Sequence, residues 1–369
     1  MKEVARISAE KLKSFVKAAL LKAGVRNDVA GYVTEGLIQT SLRGVDSHGV
    51  RLLPHYLEAL KGGRINPDPN YKFKKTSLST GIFDADHAFG HAAGMEAAKR
   101  AIELANESGT GHIAVYNSSH FGAAAYYALE VAHHDMIGMC FTNTDALVKS
   151  FAGKRPFLGN NPICFAAPCE NEGPFCLDMA TSKLTFNKIK QLGENGMLVP
   201  AGVGTNTEGV ETRNPNEITA LLPIGGHKGY GLSMIVEILC SMLTGMPYGP
   251  HVPKMFEAPM SEKRCLGHYI SAVRIDCFQT KENFKKRLSS FMEELRSEPA
   301  LDKNVPVQVA GDPEKKCARE RSGQGIPFAP AEYEAFKKIA LEYGIKFLGV
   351  SELNDTDNKK DREKSSRIF

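Results

Sequence analysis

The stretch His112-Ile113-Ala114-Val115-Tyr116, Asn117-Ser118-Ser119-His120-Phe121-Gly122, Ala123 to His134 and Met136 to Thr142 decides the fold class. Its apolar, β-branched opening reads as a strand, the Asn-Ser-Ser-His-Phe-Gly run as a turn, Ala123 to His134 as a helix and Met136 to Thr142 as a second strand. Such a unit, with a histidine at its turn, belongs to an α/β protein. Working outward, His91 to Asn106 is an Ala-rich helix that ends near Gly109. Further strands are expected at Asn161 to Ala167, Phe175 to Met179, Ile218 to Leu222 and His268 to Ile275, with a helix over 282–296.

Both chain ends read as helical. Leu12, Phe15, Val16, Ala19 and Leu20 recur at helical spacing after a Ser8 cap, and Gly24 ends the run. A second helix runs from about Asn27 to Thr40 and a third from Leu52 to Lys61. Between them lies the polar island Arg43-Gly44-Val45-Asp46-Ser47-His48-Gly49-Val50-Arg51. At the other end, Ala331 to Tyr343 is a helix before the strand-like Ile345 to Val350. The tail from Asn354 to Phe369 has nine charges in 16 residues, which predicts disorder.

A length of 369 residues implies two or three packed units. Forty-six Lys+Arg against 42 Asp+Glu leave a net charge of +4, too dispersed for nucleic acid and suited to a small anionic substrate. The eight cysteines form no C-x-x-C pair and mostly sit in apolar runs, so reduced, buried thiols, no metal site and a cytoplasmic setting are expected. The N-terminus lacks the apolar core of a signal peptide. The longest oily run, Leu232 to Leu243, contains Glu237 and falls short of the ~20 residues that a bilayer needs.

Five places carry candidate chemistry. His120 is positioned at a strand end to exchange a proton as a hydride moves, or is a hydrogen-bonded structural residue. Asp145, after the next strand, either orients that imidazole or is a turn aspartate. Ser47, His48 and Arg51 either bind a carboxylate or cap a helix. Asp178, ending an apolar run, accepts from a ligand hydroxyl or caps a turn. The glycine-rich run Gly225-Gly226-His227-Lys228-Gly229-Tyr230-Gly231 precedes an amphipathic helix with Leu232, Ile235, Val236, Leu239, Met242 and Leu243 on one face. Free helix amides and one Lys there would hold an anion; otherwise the run is a turn capping a core helix. The G-x-G-x-x-G fingerprint of doubly wound nicotinamide enzymes is absent.

Taken together, Asp46-Ser47-His48-Gly49-Val50-Arg51, Ser119-His120-Phe121-Gly122, Gly159-Asn160-Asn161-Pro162, Leu177-Asp178-Met179-Ala180-Thr181-Ser182 and Gly225 to Gly231, in that order, resemble the malate/L-lactate dehydrogenase family. That family includes L-sulfolactate, ureidoglycolate and diketogulonate enzymes and cyclic-imine reductases. The similarity spans roughly residues 5–350. It implies an α/β fold distinct from the doubly wound (Rossmann) domain, with a largely antiparallel or mixed central sheet carrying the cofactor. The expected division is a helical, substrate-side domain from 1–75 plus about 305–353, a central cofactor-binding portion over 76–304, and the tail 354–369. A homodimer with sites near the subunit interface is also implied.

Carried over position by position, the resemblance makes His120 the catalytic proton donor and acceptor, which Asp145, from its place after the next strand, would steady. Thr144, Asp178, Met179, Ala180 and Lys228 become cofactor contacts; Ser47, His48 and Tyr56 become substrate contacts, beside Arg51, which the residues of the polar island themselves suggest. The cofactor is NAD or NADP, with NAD favoured. Two departures stand out. Many members place an Arg four residues after the motif histidine, where this chain has Leu52; Arg51 comes one residue earlier, a turn of ~100° on a helix. The chain has no Trp where a Trp-Ala-Asp stretch is usual. Both imply a remodelled substrate pocket. The expected reaction is hydride transfer between a nicotinamide and a small 2-hydroxy/2-oxo acid; reduction of a cyclic imine on the same fold, or a non-catalytic dimeric binding protein, are the alternatives. Neither nucleic acid nor membrane is an expected partner.

Overall fold

The computed structural model describes residues 5–346. In chain order the first elements are β1 (Ala5–Ile7), α1 (Ala9–Lys22), α2 (Asn27–Leu42), α3 (Leu53–Lys61), β2 (Lys72–Lys75), β3 (Thr80–Asp84) and α4 (Gly90–Ser108). Next come β4 (Thr110–Ser118), α5 (Ala125–His133), β5 (Met136–Thr142), β6 (Val148–Lys149), β7 (Pro156–Leu158), β8 (Ile163–Ala167) and β9 (Phe175–Met179). They are followed by α6 (Phe186–Glu194), β10 (Gly204–Thr205), β11 (Glu211–Thr212), β12 (Ala220–Leu221) and α7 (His227–Glu237). The last are β13 (Leu266–Arg274), α8 (Lys281–Ser297), α9 (Asp312–Gln324), β14 (Ile326–Phe328) and α10 (Pro330–Tyr343). This is a mixed α/β fold.

The chain divides into two compact units, one from both ends, through Leu57 and from Glu314 onward, and one from Glu58–Pro313. In the first, α1 buries the stripe Leu12, Phe15, Val16, Ala19 and Leu20, and Ser8 Oγ accepts from the Lys11 amide at the helix start. Phe15 stacks on Phe336 of α10 at 5.4 Å, and β1 pairs antiparallel with β14. The two chain ends thus share one core.

The second unit is built on a seven-stranded sheet of order β2-β3-β4-β13-β5-β8-β9. Only β3 and β4 run parallel; the other neighbours are antiparallel. β13, distant in sequence, is wedged between β4 and β5. Alternation of buried and half-buried residues along β5 and through most of β4 gives the sheet a closed face, against which α4 and α5 pack, and a more open one. A small five-stranded sheet, β11-β10-β12-β6-β7, has its own core of Val148, Leu158, Ile189, Val199, Val203, Ile218 and Leu221.

Several expectations need correction. The run Leu232 to Leu243 does not present a buried apolar face: Val236 is buried, whereas Leu232, Ile235, Met242 and Leu243 are between 40 % and 56 % exposed. The helix also widens into a π-helical stretch over Ile238–Met242. Cys140, Cys164, Cys176 and Cys240 are buried thiols, but Cys277, on a turn just after β13, is exposed. Ile218 to Leu222 contributes only the two-residue strand β12. Residues 347–350 of the expected last strand and the 354–369 tail lie outside the described residues; Ile345 closes α10 by donating to Ala340 O at 2.9 Å. Among the described residues no helix is long and apolar enough to cross a membrane.

Candidate active site

His120 sits two residues beyond β4, half-buried, on a loop fixed from three sides. Phe121 beside it is buried, and the Tyr127 hydroxyl donates to the Phe121 carbonyl. The start of α4 is pressed against the loop backbone: a Cβ on Gly90 would lie 2.4 Å from Ser119 O and 2.7 Å from His120 O. Gly122 takes φ +73°, and a side chain there would meet the buried His91 ring at 2.5 Å. Both glycines are required by close approach, and together they fix the loop backbone that carries His120.

Asp178, at the end of β9, accepts the Ala125 N–H at 2.8 Å, at the first residue of α5. This ties the Leu177 to Ser182 segment to the loop that follows His120. Thr144 joins the same region through the Asn160–Asn161 segment. Its hydroxyl accepts from Asn160 N at 2.9 Å, and its own N–H donates to Asn161 Oδ1 at 3.2 Å. Asn160 O in turn accepts from Thr181 N at 2.8 Å, and Thr181 O from Ile224 N at 2.8 Å. That chain of bonds ends at the glycine-rich turn and α7. Three motifs far apart in sequence are thereby brought together in one unit.

At the start of α7, Gly225 and Gly226 have φ of +60° and +64°, no side chain caps the first turn, and His227 and Lys228 are exposed. Uncapped amides beside an ammonium form a donor set that suits a phosphate, and the Asp178 carboxylate suits a hydroxyl-bearing sugar. The arrangement fits a nicotinamide dinucleotide. Beneath it lies a buried polar network that the sequence reading missed. Glu237 accepts from Ser241 Oγ at 2.8 Å and Asn161 Nδ2 at 3.3 Å, while Asn143 Nδ2 donates to Ser241 Oγ at 2.9 Å. Burial pushes the Glu237 carboxyl above its usual range, opposed by the hydrogen bonds it accepts. A lone acid in an oily run was its only sequence signal.

Asp145 has a different partner from the one expected. Its carboxylate accepts from Arg264 Nη2 at 2.6 Å, with the Arg264 side chain 2 % and the Asp145 side chain 11 % exposed. The buried guanidinium, not the His120 imidazole, claims this carboxylate. Ser47, His48, Arg51 and Tyr56 belong to the other unit. There Ser47 Oγ lies 2.9 Å from His48 Nδ1, burial lowers the His48 pKa, and Tyr56 is buried. Arg51 is held by Glu332 at 2.8 Å and Asp46 at 3.6 Å, and Asp46 also accepts from Arg321. Two carboxylates already balance the cation expected to grip a substrate.

A model of the family described as malate/L-lactate dehydrogenase matches residues 7–337. The chain belongs to this family. Malate dehydrogenase of Pyrococcus abyssi is 36 % identical over 94 % of this chain and 97 % of its own length. Ureidoglycolate dehydrogenase (NAD(+)) of Escherichia coli strain K12 is 30 % identical, covering 91 % of this chain and 96 % of that protein. The solved structure of sulfolactate dehydrogenase from Methanocaldococcus jannaschii superposes with a TM-score of 0.87 at 31 % identity, over 93 % of this chain and 98 % of that one. The seven-stranded sheet of this malate/L-lactate dehydrogenase family member is largely antiparallel rather than doubly wound, so the absence of G-x-G-x-x-G is no argument against the family.

Proposed function

We propose that the chain is an NAD(P)-dependent dehydrogenase that interconverts a small 2-hydroxy acid and its 2-oxo acid, with His120 as the acid/base. The observation that carries this reading is the rigid, half-buried placement of His120 in the unit that also gathers Thr144, Asp178 and the Lys228 turn. Lys228 and the α7 amides hold the phosphates; Thr144, Asp178, Met179 and Ala180 contact the rest of the nucleotide. When bound, the nicotinamide supplies the hydride acceptor or donor. His120 removes the substrate hydroxyl proton in oxidation and returns it in reduction. Ser47, His48 and Tyr56 contact the substrate. Arg51 grips a carboxylate only by giving up Glu332 or Asp46, so the substrate anion draws chiefly on other donors. NAD is the favoured nucleotide, in line with the ureidoglycolate dehydrogenase (NAD(+)) of Escherichia coli.

The active form is a homodimer in the cytoplasm. Leu232, Ile235, Ile238, Met242 and Leu243 make one continuous exposed face, and Ile137, Met139, Phe141 and Tyr269 are half-buried on the open side of the sheet. A second copy of the chain is the occupant that fits so large an apolar surface. The free cysteines agree with a reducing compartment. A thermal-shift screen with both nucleotides, followed by a panel of 2-oxo acids and cyclic imines, tests the reading. Turnover of a 2-oxo acid supports it; turnover confined to cyclic imines, or no response to either nucleotide, overturns it.

A further inference from the structure

His268 lies in β13, at the centre of the seven-stranded sheet, and is fully buried. Its Nε2 is 2.7 Å from Ser118 Oγ and its Nδ1 is 2.8 Å from Thr142 Oγ1. Ser118 is the last residue of β4, two before His120, and Thr142 is the last residue of β5, two before Thr144. The ring also stacks on Phe121, with centroids 4.5 Å apart and planes at 20°. One imidazole therefore joins the two strand ends that deliver the proton-transfer histidine and a nicotinamide contact. Its neighbours along the buried face, Ile270 and Ala272, fill the core without polar atoms, so packing alone does not require a histidine there.

Burial lowers the His268 pKa to about 3, which leaves the ring neutral, with one donor and one acceptor nitrogen. The hydroxyls decide which is which. Thr142 Oγ1 has two carbonyls to donate to, Asn143 O at 3.1 Å and Gly267 O at 3.2 Å, whereas Ser118 Oγ has only Ser119 O at 3.5 Å. The better-satisfied arrangement runs from the Ser118 hydroxyl to Nε2, and from Nδ1–H to the Thr142 hydroxyl and on to a carbonyl. We propose that His268 is a positioning residue for hydride transfer: as its Nδ1–H tautomer it fixes the loop after β4 and the loop after β5 at a set separation. The inference rests on the reading of His120 as acid/base and of Thr144 as a nicotinamide contact.

Two substitutions separate the two links. In His268→Asn the amide falls near Nδ1 and keeps Thr142 but not Ser118; in His268→Gln it reaches toward Ser118 and leaves Thr142. The first is expected to lower kcat on the order of 10- to 100-fold with little change in KM for the nicotinamide, since misplacement by about 1 Å costs rate on that scale. The second is expected to raise the nicotinamide KM more than it lowers kcat. Ser118→Ala and Thr142→Val repeat the same split with smaller perturbation and decide the matter if the histidine variants do not fold. Nitrogen-15 chemical shifts should show His268 in the Nδ1–H form from about pH 5 to 9, well above its folded pKa. Wild-type kinetics in all four variants, equal losses in both constants, or an Nε2–H tautomer would overturn the positioning role. An inactive wild-type protein would instead overturn the dehydrogenase reading itself.

Discussion

The Asp178 carboxylate accepts the Ala125 backbone N–H at 2.8 Å, so the end of the edge strand β9 is pinned to the first residue of α5, five residues beyond His120. An anion at a helix N-terminus satisfies one of its unpaired amides and complements the helix dipole. In the proposed function the same carboxylate is offered to the cofactor. Replacing Asp178 by Ala should therefore cost about 1 kcal/mol of stability and weaken nucleotide binding, while Asp178→Asn should recover most of the stability but little of the binding. Denaturant unfolding and nucleotide titration of both variants check this. Full binding by the Ala variant would remove Asp178 from the cofactor site.

The buried Arg264–Asp145 pair makes a stability prediction. Removing one partner leaves a charge in a dry interior, which typically costs about 3–5 kcal/mol. Asp145→Ala should lose stability on that scale, and the double variant Asp145→Leu with Arg264→Met should regain most of it. If Asp145→Ala unfolds at the same denaturant concentration as the wild type, the pair is not the structural element described.

Acid stability should report on His268. Its folded pKa is about 3 against 6.5 for the free side chain. Between those values the unfolded chain binds a proton that the folded chain does not, so this group's contribution is intact above about pH 6.5 and is lost as the pH falls toward 3. His268→Gln should flatten the stability profile over that window. Glu237 acts in the opposite sense. Its raised folded pKa means that stability is lost as the pH rises from the usual carboxyl value of 4.5 through the folded value, so Glu237→Gln should gain on the wild type toward alkaline pH.

The apolar face on α7 predicts the association state. Ile235→Asp places a charge in the middle of that face and should shift the protein from dimer to monomer in sedimentation velocity, with the helical content of the monomer preserved. A wild-type monomer at micromolar concentration would contradict the assignment.

Much of the fold was legible because α1, α4, α5, β4 and β5 carry clean periodicity over seven residues or more. α9 was not. Its sequence, Asp312–Gln324, buries no residue and shows no apolar stripe, so nothing in its pattern separates it from a loop. The small sheet escaped for another reason: β6, β10, β11 and β12 have two residues each, too few for alternation to register. In the site, His120 and Lys228 stood out as polar residues in turns and Asp178 as a carboxylate ending an apolar run. His268, Arg264 and Glu237 did not, because a polar side chain inside an apolar run looks like noise until its long-range partners, such as Asn161 for Glu237 or Ser118 for His268, are known. The Arg264 partner of Asp145 escaped for the same reason, since it lies 119 residues downstream.

The proposed function stands or falls with His120 as the residue that carries the proton. The most direct measurement compares His120→Ala with the wild type on one active 2-oxo acid, following kcat by nicotinamide absorbance and nucleotide affinity by titration in parallel. General acid–base catalysis is worth about 10²- to 10⁴-fold, so kcat should fall by that order while the nucleotide dissociation constant moves little. Near-normal turnover in the Ala variant would contradict the account, whatever the effect on binding.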